Sequence, residues 1–203
     1  PLTLAAVSLA RMRHATPLDA NATATVLTQA FSADPLMAYL WPDPEQPEFP
    51  SQRALREFMH AAFEAYLTHG HSYVIDGQAA ALWSPPGIKP DTSSFGEIFA
   101  THANPEIFEP AVANFAAMHE LHPEEPHFYL AQIGAADTAR GQGLGSALLE
   151  RVLLTCDNEG FLAHLEATTP RSKALYARHG FETVTEISFA PDVTLYPMTR
   201  TPR

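Results

Sequence analysis

The chain has 203 residues, 46% of them hydrophobic, a formal net charge of -11 and one cysteine, Cys156. That length and apolar content suit a single globular domain with a sizeable core, while the negative charge argues against a nucleic-acid partner, gives no support to docking on an anionic membrane, and favours a cationic or amine ligand. A lone cysteine excludes an internal disulfide, fits a reducing compartment, and reads as a small buried hydrophobe rather than a nucleophile.

Leu2 to Ala10 is apolar, but no basic segment precedes it and it is too short to span a bilayer, so a soluble, cytoplasmic protein is expected. Arg11 to Thr16 reads as a short strand. Leu18-Asp19 then begins a helix, with Asp19 as N-cap and an apolar stripe of Ala22, Val26, Leu27, Ala30 and Phe31. This helix ends before Asp34-Pro35, because the residue preceding a proline is pushed out of helical geometry. Pro42 to Pro50 is a proline-rich surface loop. Ser51 caps a second helix, on which Leu55, Phe58, Met59, Ala62, Phe63, Tyr66 and Leu67 recur at helical spacing. Asp76-Gly77 joins Ser72–Ile75 to Gln78–Trp83 as an antiparallel hairpin, closed by Ser84-Pro85-Pro86-Gly87. Lys89 to Pro110 suggests short helices over a mobile surface, followed by a helix from about Ala111 to Leu121.

His127 to Ile133 has apolar residues of both parities, as a central strand covered on both faces would. Leu144, Ala147, Leu148, Val152 and Thr155 share one face of a helix running to about Asn158, with Gly160 beyond its end. Phe161 to Thr168 is a strand, Ser172 to His179 a helix stopped by Gly180, Phe181 to Ser188 a strand, and Val193 to Met198 a last strand.

Between the central strand and the next helix lies Arg140-Gly141-Gln142-Gly143-Leu144-Gly145-Ser146. Its glycines allow a sharp turn and close approach of a ligand to the amide N–H groups, and the helix that follows brings its partly positive N-terminus there. An anion, above all a phosphate, belongs on such a loop. A P-loop would need Gly-Lys-Ser/Thr, which is absent. The dinucleotide fingerprint needs its glycines directly after the strand, yet Gly134 to Ala139 intervene and its third glycine would fall on Ser146; Glu166, about 20 residues on, keeps it as the alternative.

Arg140 to Gly145 also matches Arg/Gln-x-x-Gly-x-Gly/Ala, and Leu175-Tyr176-Ala177-Arg178-His179-Gly180-Phe181 resembles Leu-Tyr-x-x-x-Gly-Phe. On these motifs the sequence resembles the GNAT acetyltransferase superfamily. Ala30 to Pro35, Trp83 to Gly87, and His122-Pro123 leading into His127 to Leu130 resemble its puromycin acetyltransferase branch. The resemblance implies an α/β (α+β) GNAT fold, a mixed, mostly antiparallel twisted sheet of six to seven strands flanked by helices. One domain would span residues 1–203, with an acyl-CoA-binding core at about 127–187. It also implies an acetyl-CoA-dependent N-acetyltransferase acting directly on a primary amine of a small, antibiotic-like molecule, as monomer or homodimer. A non-catalytic acyl-CoA sensor on the same fold is the alternative.

On that resemblance, the backbone N–H groups of Gln142 to Ser146, with Gly141, Gly143, Leu144 and Gly145 shaping the loop, receive the coenzyme A pyrophosphate, supplemented by Arg140. Ile133, Gly134 and Ala135 pair with the pantetheine arm as an added strand would, Gly134 permits a bulge, and an amide near Ala135 donates to the thioester carbonyl. Ser172 stands where related sequences often carry an asparagine that bonds the pantetheine; its hydroxyl reaches less far. Tyr176 matches the residue that assists the departing thiolate. With a phenol near ~10 and a thiol near ~8.5, full proton transfer is uphill by about 2 kcal/mol, so hydrogen-bond donation is its main expected role. Glu166 is the first candidate for general base, with His127 and Asp34 behind it; bulk water relayed through Tyr129 or Gln132 would also serve. Phe31, Asp34, Trp83, Tyr129 and Gln132 are candidates for the acceptor pocket. No metal is expected, since His119-Glu120-Leu121-His122 is one residue short of His-Glu-x-x-His.

Overall fold

A computed structural model describes residues 11–203; the apolar run Leu2 to Ala10 lies outside the described residues. Among the described residues no helix is long and apolar enough to cross a membrane.

The elements in chain order are β1 (Met12–His14), α1 (Ala20–Ala30), α2 (Pro35–Leu40), α3 (Gln52–Leu67), β2 (Tyr73–Ile75), β3 (Ala79–Ser84), α4 (Ser93–His102), α5 (Pro105–His119), β4 (His127–Ala135), α6 (Leu144–Glu159), β5 (Leu162–Ala167), α7 (Pro170–Arg178), β6 (Glu182–Thr183), β7 (Ile187–Ala190) and β8 (Val193–Arg200). The strands form one mixed sheet in the order β1-β2-β3-β4-β5-β8-β6, with β7 also on β8. Among the paired strands only β4 and β5 run parallel.

The sheet therefore has the expected mixed, mostly antiparallel character but eight strands, because the predicted strand Phe181–Ser188 divides. Glu182 and Thr183 pair with Thr199 and Met198, and the next partner on β8 is Pro197. Proline cannot donate to a ladder. The chain leaves after Val184 and returns as β7, with Ile187 opposite Leu195.

Side-chain alternation divides the core between the two faces. Trp83, Phe128 and Leu165 pack with Leu148 and Leu149 of α6 on one face. Val74, Ala80 and Leu82 pack with Leu27 of α1 and Leu55 and Phe63 of α3 on the other. Cys156 lies in the α6 core, and burial pushes its thiol up to about 12, as suits an inert hydrophobe.

Several local expectations are corrected. Asp34-Pro35 starts a helix as well as stopping one: Asp34 Oδ1 accepts from the amides of Leu36 and Met37 at 3.0 and 3.1 Å, and Pro35 fills the first helical position. Asp19 does not cap α1 with its side chain. It accepts from the Thr16 amide at 2.8 Å and holds Arg13 at 2.7 Å, over a short 3-10 turn. Asn104 caps α5 from Pro105 onward, so Pro110 lies inside that helix rather than bounding it. Thr169 caps α7, which begins at Pro170, before the expected Ser172.

The expected bulge at Gly134 falls instead at Ala131: Leu82 pairs with Gln132 and Trp83 with Leu130, leaving Ala131 as the extra residue. Gly134 is needed for another reason. A Cβ there would collide with Ala30 Cβ and come within 3.2 Å of Leu27 Cδ2, so its bareness lets α1 lie close on β4.

Candidate active site

β4 and β5 are paired over three positions, His127 with Leu162, Phe128 with Ala163 and Tyr129 with His164. β4 continues to Ala135 with β3 on one side, while β5 continues to Ala167 with β8. Between the parted strands opens a cavity of about 1140 Å³ that runs from the glycine loop past the end of β5 and out beneath α2, α4 and α5. Ile133, Gly134 and Ala135 line it along the β4 edge that β5 has left. A backbone edge of this kind is available to an extended ligand.

At the loop end, Gly141 and Gly143 have φ of 77° and 80°, a left-handed geometry that favours glycine. A Cβ at either would meet nothing within 4 Å, so backbone conformation rather than crowding selects them. Gly143 caps α6 without a side chain, whereas α2, α3, α5 and α7 are capped by Asp34, Ser51, Asn104 and Thr169. The first turn of α6 thus keeps N–H groups that a capping oxygen would otherwise take, and Gly143, Leu144, Gly145 and Ser146 line the cavity. The fit is to an anion.

The side chains of this end are partly committed elsewhere. The Arg140 guanidinium caps α1 at Gln29 O, 3.0 Å, and pairs with Asp137 at 2.9 Å, although Arg140 also lines the cavity. Gln142 does not line it; its amide donates to Thr138 O at 3.1 Å. The Ser146 hydroxyl meets His179 Nε2 at 2.9 Å. Ser172 lines the cavity, but its hydroxyl is used in the capping box of α7, donating to Thr169 O at 3.0 Å. Arg171 and Arg178, which no motif in the sequence marks, also line the cavity and add positive charge.

Tyr176, Asp34 and Glu166 meet in the middle of the cavity wall. Burial, reinforced by the charges of Asp34 and Glu166, pushes the Tyr176 phenol well above its ordinary range. Such a phenol keeps its proton and offers it as a hydrogen bond.

The two carboxyl groups differ. Asp34 is buried, and that burial raises its pKa despite hydrogen bonds from Thr168, Met37 and Leu36. Its contacts make it a structural tie between α2 and the end of β5. Glu166 is as deeply buried, but burial is outweighed by His122 and His164, which hold its carboxylate down to about 2. His122 Nε2 lies 3.1 Å and His164 Nε2 3.4 Å from Oε1, while the Tyr129 hydroxyl donates to Oε2 at 2.9 Å. His164 is in turn fixed by Thr199 at 2.8 Å. Alternation along β5 puts His164 and Glu166 on one face, opposite Tyr129, and that spacing is the sequence signal that would have found His164.

His122, His164 and Glu166 each bring a ligand atom within 4.8 Å of the others, a donor set that could hold a divalent cation. His127 is not part of this donor set; its Nδ1 faces Glu125 O at 2.9 Å.

Beyond Glu166 the wall is aromatic. Phe31, Tyr129 and Gln132 line the cavity. Trp83 does not, because the parity of β3 turns it into the α6 core, where it is fully buried. In its place stand Trp41, Phe58, Phe95, Phe115 and Met118, unrecognised in the sequence because they come from four separate elements.

A family model described as the Acetyltransferase (GNAT) family matches residues 35–181. The fold is similar to that of a Corynebacterium glutamicum protein described as histone acetyltransferase HPA2 and related acetyltransferase: identity is 28%, TM-score 0.69, and the match covers 95% of this chain and 96% of that one. Arylalkylamine N-acetyltransferase 2 from Aedes aegypti matches at 19% identity and TM-score 0.65, over 95% of this chain and 99% of that chain. Polyamine N-acetyltransferase from Drosophila melanogaster matches at 16% and 0.64, over 94% and 98%.

Proposed function

The chain belongs to the GNAT acetyltransferase family, and from that premise we propose that it moves an acetyl group from acetyl-CoA directly to a primary amine of a small molecule. The observation that carries this is the single cavity joining an uncapped helix N-terminus to Tyr176 and Glu166 across the gap between β4 and β5. We read the whole chain as one acetyltransferase domain. The upstream segments that resemble the puromycin acetyltransferase branch support an antibiotic-like amine among the acceptors.

In this reading the first turn of α6 holds the pyrophosphate, with Arg171 and Arg178 nearby, and the free edge of β4 orders the pantetheine arm. An amide near Ala135 donates to the thioester oxygen as it becomes an oxyanion. The amine nitrogen attacks, the C–S bond breaks, and Tyr176 hydrogen-bonds the departing thiolate. Glu166 stays ionised and pairs with the acceptor ammonium. A carboxylate of such low basicity does not strip that proton unaided. His122 is the adjoining base: with its Nε2 proton donated to Glu166, Nδ1 is the nitrogen able to accept.

The test is thiol release from acetyl-CoA with a panel of aminoglycosides, puromycin-like nucleosides, polyamines and peptide N-termini. Release with an amine, dependent on Tyr176 and Glu166, is expected. Tight acetyl-CoA binding without turnover across the panel would instead make the protein an acyl-CoA sensor.

A further inference from the structure

The acceptor end of the cavity has a chemical character of its own. Its walls come from α3, α4 and α5, where Phe58, Phe95, Phe99, Val112, Phe115 and Met118 face the space. Val112, Phe115 and Met118 recur every three residues, so one stripe of α5 is turned to the cavity. Phe58, Phe95 and Phe115 are half-buried and Val112 is 45% exposed, so this is an aromatic surface open to a ligand rather than a closed core. The rings already pack on one another, Phe58 on Phe95 at 5.0 Å and Phe99 on Phe108 at 5.1 Å, which fixes the apolar wall they present to the cavity.

Among the described residues lining the cavity, the carboxylates are Asp34 and Glu166. Asp34 spends Oδ1 on two amides and Oδ2 on Thr168. Burial favours the neutral form of Asp34, whereas Glu166, with Oε1 facing His122 and His164, accepts one hydrogen bond at Oε2, from Tyr129, and keeps room there to meet a cation. The arginines of the cavity, Arg140, Arg171 and Arg178, belong to the loop and to α7, at the opposite end.

Resting on the acetyltransferase reading above, we propose that the acceptor is a primary monoamine with a flat, apolar tail, an aralkyl amine, held by its ammonium at Glu166 and by its tail among Phe58, Phe95 and Phe115. A second ammonium on the tail would be stripped of water against phenylalanine and methionine with no anion to pair it. A tail rich in hydroxyls would lose its hydrogen bonds in the same way. An aromatic tail instead buries apolar area on both faces and stacks on rings already in place.

The experiment compares 2-phenylethylamine and n-hexylamine with putrescine, spermidine and an aminoglycoside. Thiol release is followed with acetyl-CoA, and calorimetric binding is measured on the protein saturated with coenzyme A. The expected result is kcat/KM at least 100-fold higher for 2-phenylethylamine than for putrescine, with a negative heat-capacity change on binding. Polyamine or aminoglycoside turnover equal to or above that of 2-phenylethylamine would overturn the aralkyl assignment while leaving acetyl transfer standing. Preferential binding of 2-phenylethylamine with no thiol release from any amine would uphold the pocket and remove the transfer. Neither binding nor release would remove both.

Discussion

The two ends of the cavity are built from different materials. The end we propose for acetyl-CoA is backbone: the left-handed glycines, the uncapped start of α6 and the free edge of β4. The acceptor end is side chain: rings from α3, α4 and α5, and a carboxylate held by Tyr129, His122 and His164. Backbone donors serve any ligand with the same phosphate and amide skeleton. Side-chain walls can be exchanged without disturbing the sheet. A fold arranged in this way keeps its donor constant and is free to vary its acceptor.

The largest expected effect lies where the two ends meet. Glu166→Gln keeps the shape but removes the anion that His122 and His164 surround. We expect kcat/KM for an amine to fall by about 10³-fold, because leaving the buried ammonium without its partner costs about 2–5 kcal/mol. Acetyl-CoA affinity should be unchanged, because Glu166 belongs to the acceptor side. A steady-state assay beside a binding titration separates the two, and a matched loss of acetyl-CoA affinity would erase the division between the ends.

Tyr176→Phe should act on the chemical step alone. Losing one hydrogen bond to a forming thiolate costs about 1.5–3 kcal/mol, or roughly 10- to 100-fold in rate. The ring remains to pack against Phe181, whose centroid is 6.0 Å away. Single-turnover kinetics at saturating acetyl-CoA read this directly, and an unchanged rate would remove Tyr176 from the mechanism.

Gly143→Val tests the backbone end. Valine has open space there but must adopt φ near 80°, which costs about 1–2 kcal/mol for an L-residue. We expect acetyl-CoA affinity to weaken by about tenfold, with little change in the ratio of turnover between two amines. A changed amine preference would show that the loop shapes the acceptor site as well.

This contrast also explains what the sequence made legible. Glycine spacing, the start of α6 and the Leu175–Phe181 segment are local patterns, so the glycine turn, the helix start and the helix carrying Tyr176 are legible from neighbours in the chain. The acceptor end is not, because its walls assemble from α2, α3, α4 and α5 and no single stretch carries their pattern. Trp83 faces the α6 core instead of the cavity, and the uniformly apolar run of β3 does not say which face the cavity uses. Asp34-Pro35 carries a stop signal and a start signal at once, since the same pair ends α1 and supplies the cap and first turn of α2. Glu166 could be named from its strand, but its partners His122 and Tyr129 arrive from 44 and 37 residues away.

The smallest expected effect uses the two carboxyls that face the same cavity. Asp34 has its pKa raised above the ordinary 3.8 by burial, so the folded protein holds a proton that the unfolded chain gives up. Its contribution to stability therefore falls as pH rises from about 3.8 through the raised value. Glu166 has the opposite sign: its contribution is present above the unfolded value of 4.5 and is lost as pH falls toward about 2. Asn at position 34 still caps α2, since asparagine and aspartate cap about equally well, and it has no charge to bury. We expect Asp34→Asn to change stability by about 1 kcal/mol or less where the wild-type carboxyl is protonated. As pH rises, the variant should gain on the wild type, while the acid-side loss set by Glu166 persists in both. Urea unfolding from pH 3.5 to 7 on both proteins measures the difference. A difference that stays flat with pH would show that Asp34 is not a carboxyl held against its ionisation, and the contrast with Glu166 would then rest on hydrogen bonding alone.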